Sequence, residues 1–251
     1  VYKRQDEILI LDDNSGGSST AEITLGGTVG ASDFIKTVNL IAKGGIKLSG
    51  DITTANTAGG NVTITGPVTL VEDVIIDASA NNTTVSFGST STVNSDSTTG
   101  GHALTIKTGT ATTGAVAMQA AIGNATPLKS LSINNTGTPA GAIELVGIGN
   151  STGPVYGVIG ATAIGNGSTG SITLDGTVYT TGGTFDLTTD TGDKILVTNA
   201  SGATITTSDD NITFTGGNVK ISEGVASLTM TTGSGTCLLY TSDAADEEDS
   251  V

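Results

Sequence analysis

Gly60-Asn61-Val62-Thr63-Ile64-Thr65-Gly66-Pro67-Val68-Thr69-Leu70 carries the pattern that decides the fold. Val62 and Ile64 alternate with Thr63 and Thr65, and Val68 and Leu70 flank Thr69. Successive side chains of an extended strand point to opposite sides, so the apolar set faces one way and the threonines the other. Gly66 permits a sharp turn between the two runs. The same short unit recurs as Ile23-Thr24-Leu25-Gly26-Gly27, Ile46-Lys47-Leu48-Ser49-Gly50 and Val85-Ser86-Phe87-Gly88. It returns as Ile143-Glu144-Leu145-Val146-Gly147, Ile172-Thr173-Leu174-Asp175-Gly176 and Ile212-Thr213-Phe214-Thr215-Gly216. Alternation also predicts strands at Val38 to Ile41, Leu70 to Ile76, Leu104 to Ile106, Leu131 to Ile133, Lys194 to Val197 and Val219 to Ile221. No segment reads as a convincing amphipathic helix. Ala115 to Ile122 comes nearest, but it lies between turn-rich segments and matches a strand in a longer repeat.

That longer repeat aligns Ile23 with Val116, Leu25 with Met118, Val38 with Leu131 and Leu40 with Ile133, at an offset of 93. Further on, Val62-Thr63-Ile64 matches Ile172-Thr173-Leu174 and Val68 matches Val178, now at an offset of 110. The growth of the offset points to an insertion in the Gly-rich Ile148 to Gly167 region. Strands inside the repeat are often separated by roughly 16 to 23 residues, a spacing that suits one coil of a β-helix whose coils stack at about 4.8 Å. About eleven such coils would fit, giving a rod of very roughly 50 Å. Stacked Thr and Asn at equivalent positions would add ladders. The fold class is therefore all-β, a parallel β-helix (β-solenoid). The alternative is tandem β-sandwich modules, suggested by the period itself, although such modules usually bury a Trp or Tyr, and only Tyr156 and Tyr179 lie in the central part of the chain.

Composition agrees with a narrow interior. The 251 residues include 37 Gly but only 4 Phe, 4 Tyr and no Trp, and charged residues are 13%. Asp and Glu number 24 against 9 Lys and Arg, a net charge of −15, and Arg4 is the only arginine. Without basic clusters, nucleic acid and anionic membrane surfaces are poor partners. The longest uncharged stretch, Leu145 to Leu174, is broken by Gly, Asn, Ser and Pro154. Its densest apolar part, Val155 to Ile164, falls short of the ~20 residues that a membrane-spanning helix needs.

The two ends read differently from the rest. Val1-Tyr2-Lys3-Arg4-Gln5 resembles the translation of a transposase end used to prepare sequencing libraries. Cys237-Leu238-Leu239-Tyr240-Thr241 resembles the translated reverse complement of the same DNA. Residues 1–5 are thus expected to be adapter-derived and not structural. Residues 6–236 are expected to form a single β-solenoid fragment, and 237–251 an adapter-derived, disordered acidic tail. The stretch between the scars stays acidic and contains neither Arg nor Cys, so disulfide and zinc–thiolate chemistry are not expected there. On this reading the fragment is cut from a longer, metagenomic reading frame, with any signal peptide or anchor beyond it.

Segment Gly60 to Ile133 resembles the units of giant bacterial β-strand-repeat adhesins, including filamentous haemagglutinin-like proteins. The resemblance rests on Gly60 to Leu70, quoted above, and on Ala121-Ile122-Gly123-Asn124-Ala125-Thr126-Pro127-Leu128-Lys129-Ser130-Leu131. It implies a secreted, extracellular rod on a cell surface, with an adhesive face and no catalytic residue. Its partners would be host or matrix glycans, surface proteins and the flanking repeats of the same chain.

Parallel β-helices also house carbohydrate-cleaving enzymes, which need two carboxylates placed across a sugar bond. Asp209-Asp210 is the best pair and Asp12-Asp13 the next. Adjacent Asp residues, however, favour turns, and on a strand their side chains diverge. His102, the sole histidine, reads as a surface or turn residue, and no Gly-x-Ser-x-Gly elbow supports a serine nucleophile. No cofactor is expected. Asp186, Asp190 and Asp193 are the weak calcium candidates, since turn carbonyls could complete an oxygen site; a solvated acidic turn explains them more simply. Asn61, Asn82, Asn150 and Asn211 open Asn-x-Ser/Thr triplets, which a Thr-rich chain contains by chance. The expected function is a structural and adhesive repeat segment without catalysis. The alternatives are a carbohydrate-active β-helix enzyme fragment and a surface-layer or filament segment without a receptor.

Overall fold

The computed structural model describes residues 7–13, 20–30, 35–54, 60–80, 83–109, 114–136, 141–151 and 156–241. Residues 1–5, 242–251 and Asn82 therefore lie outside the described residues. The strands follow one another coil by coil. β1 (Glu7–Asp12) and β2 (Ile23–Leu25) open the first coil. β3 (Ile35–Ile41), β4 (Ile46–Leu48) and β5 (Ile52–Thr53) form the next, followed by β6 (Val62–Thr65), β7 (Val68–Leu70) and β8 (Val74–Ala78). β9 (Val85–Phe87), β10 (Val93–Ser95) and β11 (Leu104–Thr108) make the fourth. β12 (Val116–Met118) and β13 (Leu131–Ile133) belong to the fifth, β14 (Ile143–Leu145) and β15 (Thr162–Ile164) to the sixth. β16 (Ile172–Leu174), β17 (Val178–Thr181) and β18 (Phe185–Thr188) make the seventh. The last two hold β19 (Lys194–Val197), β20 (Ala203–Thr207), β21 (Ile212–Gly216), then β22 (Asn218–Ile221), β23 (Leu228–Thr231) and β24 (Cys237–Thr241).

Every strand pairs in parallel with its counterpart in the adjacent coil. The first face is a nine-stranded sheet, β1-β3-β6-β9-β12-β14-β16-β19-β22. The third face is an eight-stranded sheet running from β5 to β24. The second face holds β2-β4-β7-β10 and β17-β20-β23, linked through single bridges from Val93 to Ile122, Ile148 and Tyr179. The described residues thus form a three-faced β-solenoid of about eight turns, the steps between the nine successive strands of the first face. Tandem sandwiches are overturned, since their sheets would be antiparallel.

The interior is built by ranks of like side chains. Val38, Val62, Val85, Val116, Ile143, Ile172 and Ile195 stack in register on the first face, all at most 1% exposed. Two residues on, Leu40, Ile64, Phe87, Met118, Leu145, Leu174 and Val197 form a second buried rank. A slip of one residue would turn both ranks outward, so the alternation sets the register.

The predicted strands are all present, except that Leu70 to Ile76 is divided by a bend between β7 and β8. The predicted coil length is corrected. Val62 faces Val85, and Val85 faces Val116, so the first of these coils is as long as the longest spacing expected and the second is longer. Each coil carries three faces and three corners, and corners such as 96–103 hold extra residues, so fewer and longer coils fit than the eleven expected. The offset of 93 is not a structural period, because Ile23 lies on the second face and Val116 on the first. The offset of 110 does relate equivalent strands: β6 and β16 both lie on the first face, and β7 and β17 on the second. Ile148 to Gly167 is not an insertion within one coil. Ile143 pairs with Ile172, so the stretch makes up most of one ordinary coil between them. Cys237 to Thr241 was expected in the disordered tail, yet it forms β24 against β21. The open edge of β21 supplies backbone partners to any extended segment. Leu239 and Tyr240 contribute little core there, at 56% and 57% exposed.

Corners are held by small residues and hydroxyls. Gly66 adopts φ +125°, and a Cβ there would sit 1.9 Å from the Ala42 carbonyl oxygen of the preceding coil. Ser91, fully buried, fills the space beside it; its Oγ accepts the Gly66 N–H at 3.1 Å and donates to the Ile64 carbonyl at 2.8 Å. Asparagines act across coils, not as like-on-like stacks. Asn134 accepts the Thr108 N–H at 2.7 Å and donates to Thr108 Oγ1 at 2.8 Å.

Among the described residues, Tyr179 is the one tyrosine in the core. Its hydroxyl donates to the Leu145 carbonyl and accepts the Gly176 N–H, both at 2.8 Å, and burial pushes its phenol above the ordinary value. Leu145 O also accepts the Asp175 N–H, so Tyr179→Phe would orphan chiefly the Gly176 N–H. A loss of about 1–2 kcal/mol is expected in urea denaturation. Thr162 presents the opposite case. It sits in register between Leu131 and Phe185, fully buried, with no partner for Oγ1. Thr162→Val keeps the shape and removes the stranded hydroxyl, so it should stabilise by about 1 kcal/mol in the same assay.

Candidate functional site

Outward positions of the second face form two ranks across the last three coils. Val178, Thr204 and Thr229 align in one, and Thr180, Thr206 and Thr231 in the other. Tyr179 and Ile205 alternate with them and point inward. Parallel-sheet geometry puts neighbours within a rank about 4.8 Å apart and the ranks roughly 6.6 Å from each other. Thr204, Thr229 and Thr231 are exposed; Thr180 and Thr206 are half-buried. Backbone groups orient Thr180, whose Oγ1 accepts the Gly157 N–H at 3.1 Å and donates to the Ile148 carbonyl at 3.3 Å. Neither rank contains a charge, which sets this hydroxyl surface apart in a chain of net charge −15.

The earlier part of the second face differs. Thr24, Lys47, Thr69 and Asn94 form its outward rank, and Lys47 pairs with Glu22 at 3.0 Å. Asn94 Oδ1 accepts the N–H groups of Ala125 and Thr126, at 2.9 and 3.1 Å, and so is committed to the neighbouring coil. At the corner between the first and second faces, a groove of about 350 Å³ is lined by Ile41, Ala42, Lys43, Thr65, Gly66 and Pro67.

A second cluster occupies the corner between the second and third faces. His102 Nε2 lies 2.9 Å from Asp96 Oδ1, and Nδ1 lies 3.8 Å from Asp73 Oδ1. Asp73 Oδ1 also accepts the Ala103 N–H at 2.9 Å, and Lys129 Nζ approaches Asp73 Oδ2 at 3.3 Å. The Lys129 N–H donates to the His102 carbonyl at 3.0 Å. Three consecutive coils therefore meet here, and the contacts clasp the base of the 96–103 loop. The Ala103 N–H is the main reason that the Asp73 carboxyl is held below its ordinary value; Lys129 and His102 add to it, against partial desolvation. Exposed ion pairs of this kind stabilise little individually.

The remaining sequence candidates are scattered. Asp209 takes a left-handed turn conformation at φ 63°, and its Oδ1 accepts the Ser234 N–H at 2.8 Å. The Asp210 carbonyl accepts from Thr207 Oγ1 at 2.5 Å. Asp12 ends β1, and the Asp13 N–H donates to the Ile41 carbonyl at 2.8 Å. Asp186 is on β18, whereas Asp190 and Asp193 lie in the turn that follows. Asp190 Oδ1 accepts the Gly192 N–H at 3.0 Å, and Asp193 Oδ1 accepts from Ser171 Oγ at 3.0 Å. Among the described residues, no three carboxylate, imidazole or thiol side chains gather where they could hold one metal ion. Asn61 and Asn211 each accept a backbone N–H from the next coil, that of Thr84 at 3.2 Å and Thr236 at 2.9 Å.

Sequence reasoning did not find the threonine ranks or the clasp. Thr204-Ile205-Thr206 and Thr229-Met230-Thr231 were a usable signal for the ranks. The clasp had none, because Asp73 and Lys129 are 56 residues apart. No protein-family model matches this chain, and no curated protein or solved structure is detectably similar to it.

A carboxyl whose folded value is depressed contributes stability above its unfolded value and loses it as pH falls through the folded one. Asp73 should therefore weaken the corner on acidification. Asp73→Asn keeps an acceptor for the Ala103 N–H but removes the charge. Thermal unfolding measured between neutral pH and about pH 3 should show a shallower acid decline for this variant than for the parent chain.

Proposed function

We propose that this chain is a non-catalytic adhesive segment of a secreted bacterial surface protein, and that its contact surface is the threonine face of the last three coils. The observation that carries the reading is the pair of in-register, uncharged ranks on a stacked β-scaffold, five of whose six outward residues are threonines. Neutral glycans offer hydroxyls that both donate and accept, as do threonines, and neither partner has a charge to desolvate. Each such contact is weak, so useful attachment comes from many contacts made at once. The coils hold the ranks at fixed spacing, which limits the entropy lost when an extended partner settles on them. The turn roles of Asp209, Asp190 and Asp193 support a scaffold in place of a cleaving enzyme. The resemblance of Gly60 to Ile133 to β-strand-repeat adhesins supports the same conclusion.

The test is retention of the full chain on arrays of neutral glycans and on intact cells, compared with Thr206→Glu and Thr231→Glu. These substitutions put carboxylates on the exposed face without touching the core. Binding to neutral glycans that falls by an order of magnitude or more in both variants, roughly 1.4 kcal/mol, is expected. Equal binding by all three proteins would remove the threonine face from the account. Absence of any binding by the parent would favour a surface-layer or filament segment without a receptor.

A further inference from the structure

The turn after β15 contains Asn166-Gly167, the only Asn-Gly step in the chain. Its local bonding is unusual in what it engages and what it leaves open. The Asn166 N–H donates to Thr169 Oγ1 at 2.8 Å, and the Thr169 N–H donates to the Asn166 carbonyl at 2.8 Å, which closes the turn. Inside it, the Ser168 N–H donates to Asn166 Oδ1 at 2.9 Å. Asn166 Nδ2 donates to the Asn134 carbonyl of the previous coil at 3.0 Å. Gly167 is exposed, nothing lies within 4 Å of where its Cβ would be, and its N–H has no acceptor among the described residues.

We infer that Asn166 is a site of spontaneous deamidation, promoted by the turn itself. The Gly167 nitrogen gives its proton to water and attacks Asn166 Cγ, forming a C–N bond. Negative charge develops on Oδ1, where the Ser168 N–H already points, so the tetrahedral intermediate meets a positioned donor. The Cγ–Nδ2 bond then breaks, Nδ2 takes up a proton and ammonia leaves, and a five-membered imide remains. Water opens the imide at either carbonyl, giving aspartate or isoaspartate at position 166. Glycine at 167 presents no β-carbon to obstruct the attack.

The product changes the packing between coils. A carboxylate oxygen replaces the Nδ2 donor and faces the Asn134 carbonyl, so two acceptors oppose each other. Asn134 is 1% exposed and is bonded to Thr108 through both atoms of its amide. Deamidation therefore weakens a contact that ties three coils together at the corner between the third and first faces.

The experiment ages the full chain in mildly alkaline buffer and follows every asparagine by peptide mapping with isoaspartate detection. An identical sample in urea is the unfolded control. The expected result is conversion at Asn166 ahead of all other asparagines, no slower folded than unfolded, with loss of most of that signal in Gly167→Ala. Retention of the amide in the folded chain while the unfolded control converts would overturn the inference. The packing consequence is read separately from Asn166→Asp, whose thermal midpoint should fall below that of the parent. An unchanged midpoint would show that the Asn134 contact is not needed.

Discussion

Backbone hydrogen bonding between successive coils, in strict register, is the constraint on which everything else in this molecule depends. The interior is narrow and closed by three faces, so an inward side chain has room only if the chains above and below present similar volumes at the same place. Val, Ile and Leu meet that condition along most of the first face, and the two larger side chains Phe87 and Met118 stack directly on each other in one of its ranks. The corners follow from it as well. Coils that approach to hydrogen-bonding distance leave no space for a Cβ at Gly66, so glycine turns the chain and Ser91 satisfies the groups exposed by the turn.

The same register creates the surface. Inward packing at Tyr179 and Ile205 obliges their neighbours to point outward, and parallel pairing places those neighbours in ranks. A stacked solenoid therefore repeats any outward preference of its sequence as a lattice. Where that preference is threonine, the result is a neutral array of hydroxyls. Where it is charged, as at Lys47, the charge is paired locally with Glu22. Long corner loops are the exceptions to the lattice, and the 96–103 loop is fastened by contacts from the coils on either side.

Stability in such an architecture is close to a sum over neighbouring coils. Contacts that cross a coil boundary matter more than contacts within one. Tyr179 reaches back to Leu145, Asn134 to Thr108 and Asn166 to Asn134, each joining adjacent coils. Thr162 interrupts an apolar rank with an unpartnered hydroxyl. The buried Thr and Asn residues are thus of two kinds, some bonded between coils and some merely accommodated, and composition alone does not separate them.

From sequence alone, the fold class, the strands in which apolar and polar residues alternate most plainly, and the inward or outward direction of their side chains were legible; β1, β5, β10, β15, β17, β18, β20, β23 and β24 were not picked out. The physical reason is that alternation is a local property, fixed by the two-residue period of an extended chain. Strand-to-face assignment was not legible, because Ile-Thr-Leu at 23–25 and Val-Ala-Met at 116–118 look alike although they occupy different faces. Coil length was obscured for the same reason, since the loops that set it carry no period. Asp73, Asp96, His102 and Lys129 were visible as residues but not as a cluster, and the threonines of β17, β20 and β23 were read neither as outward nor as ranks. Those juxtapositions depend on which coil lies over which, a matter decided by the lengths of the corners and the closure of the apolar interior.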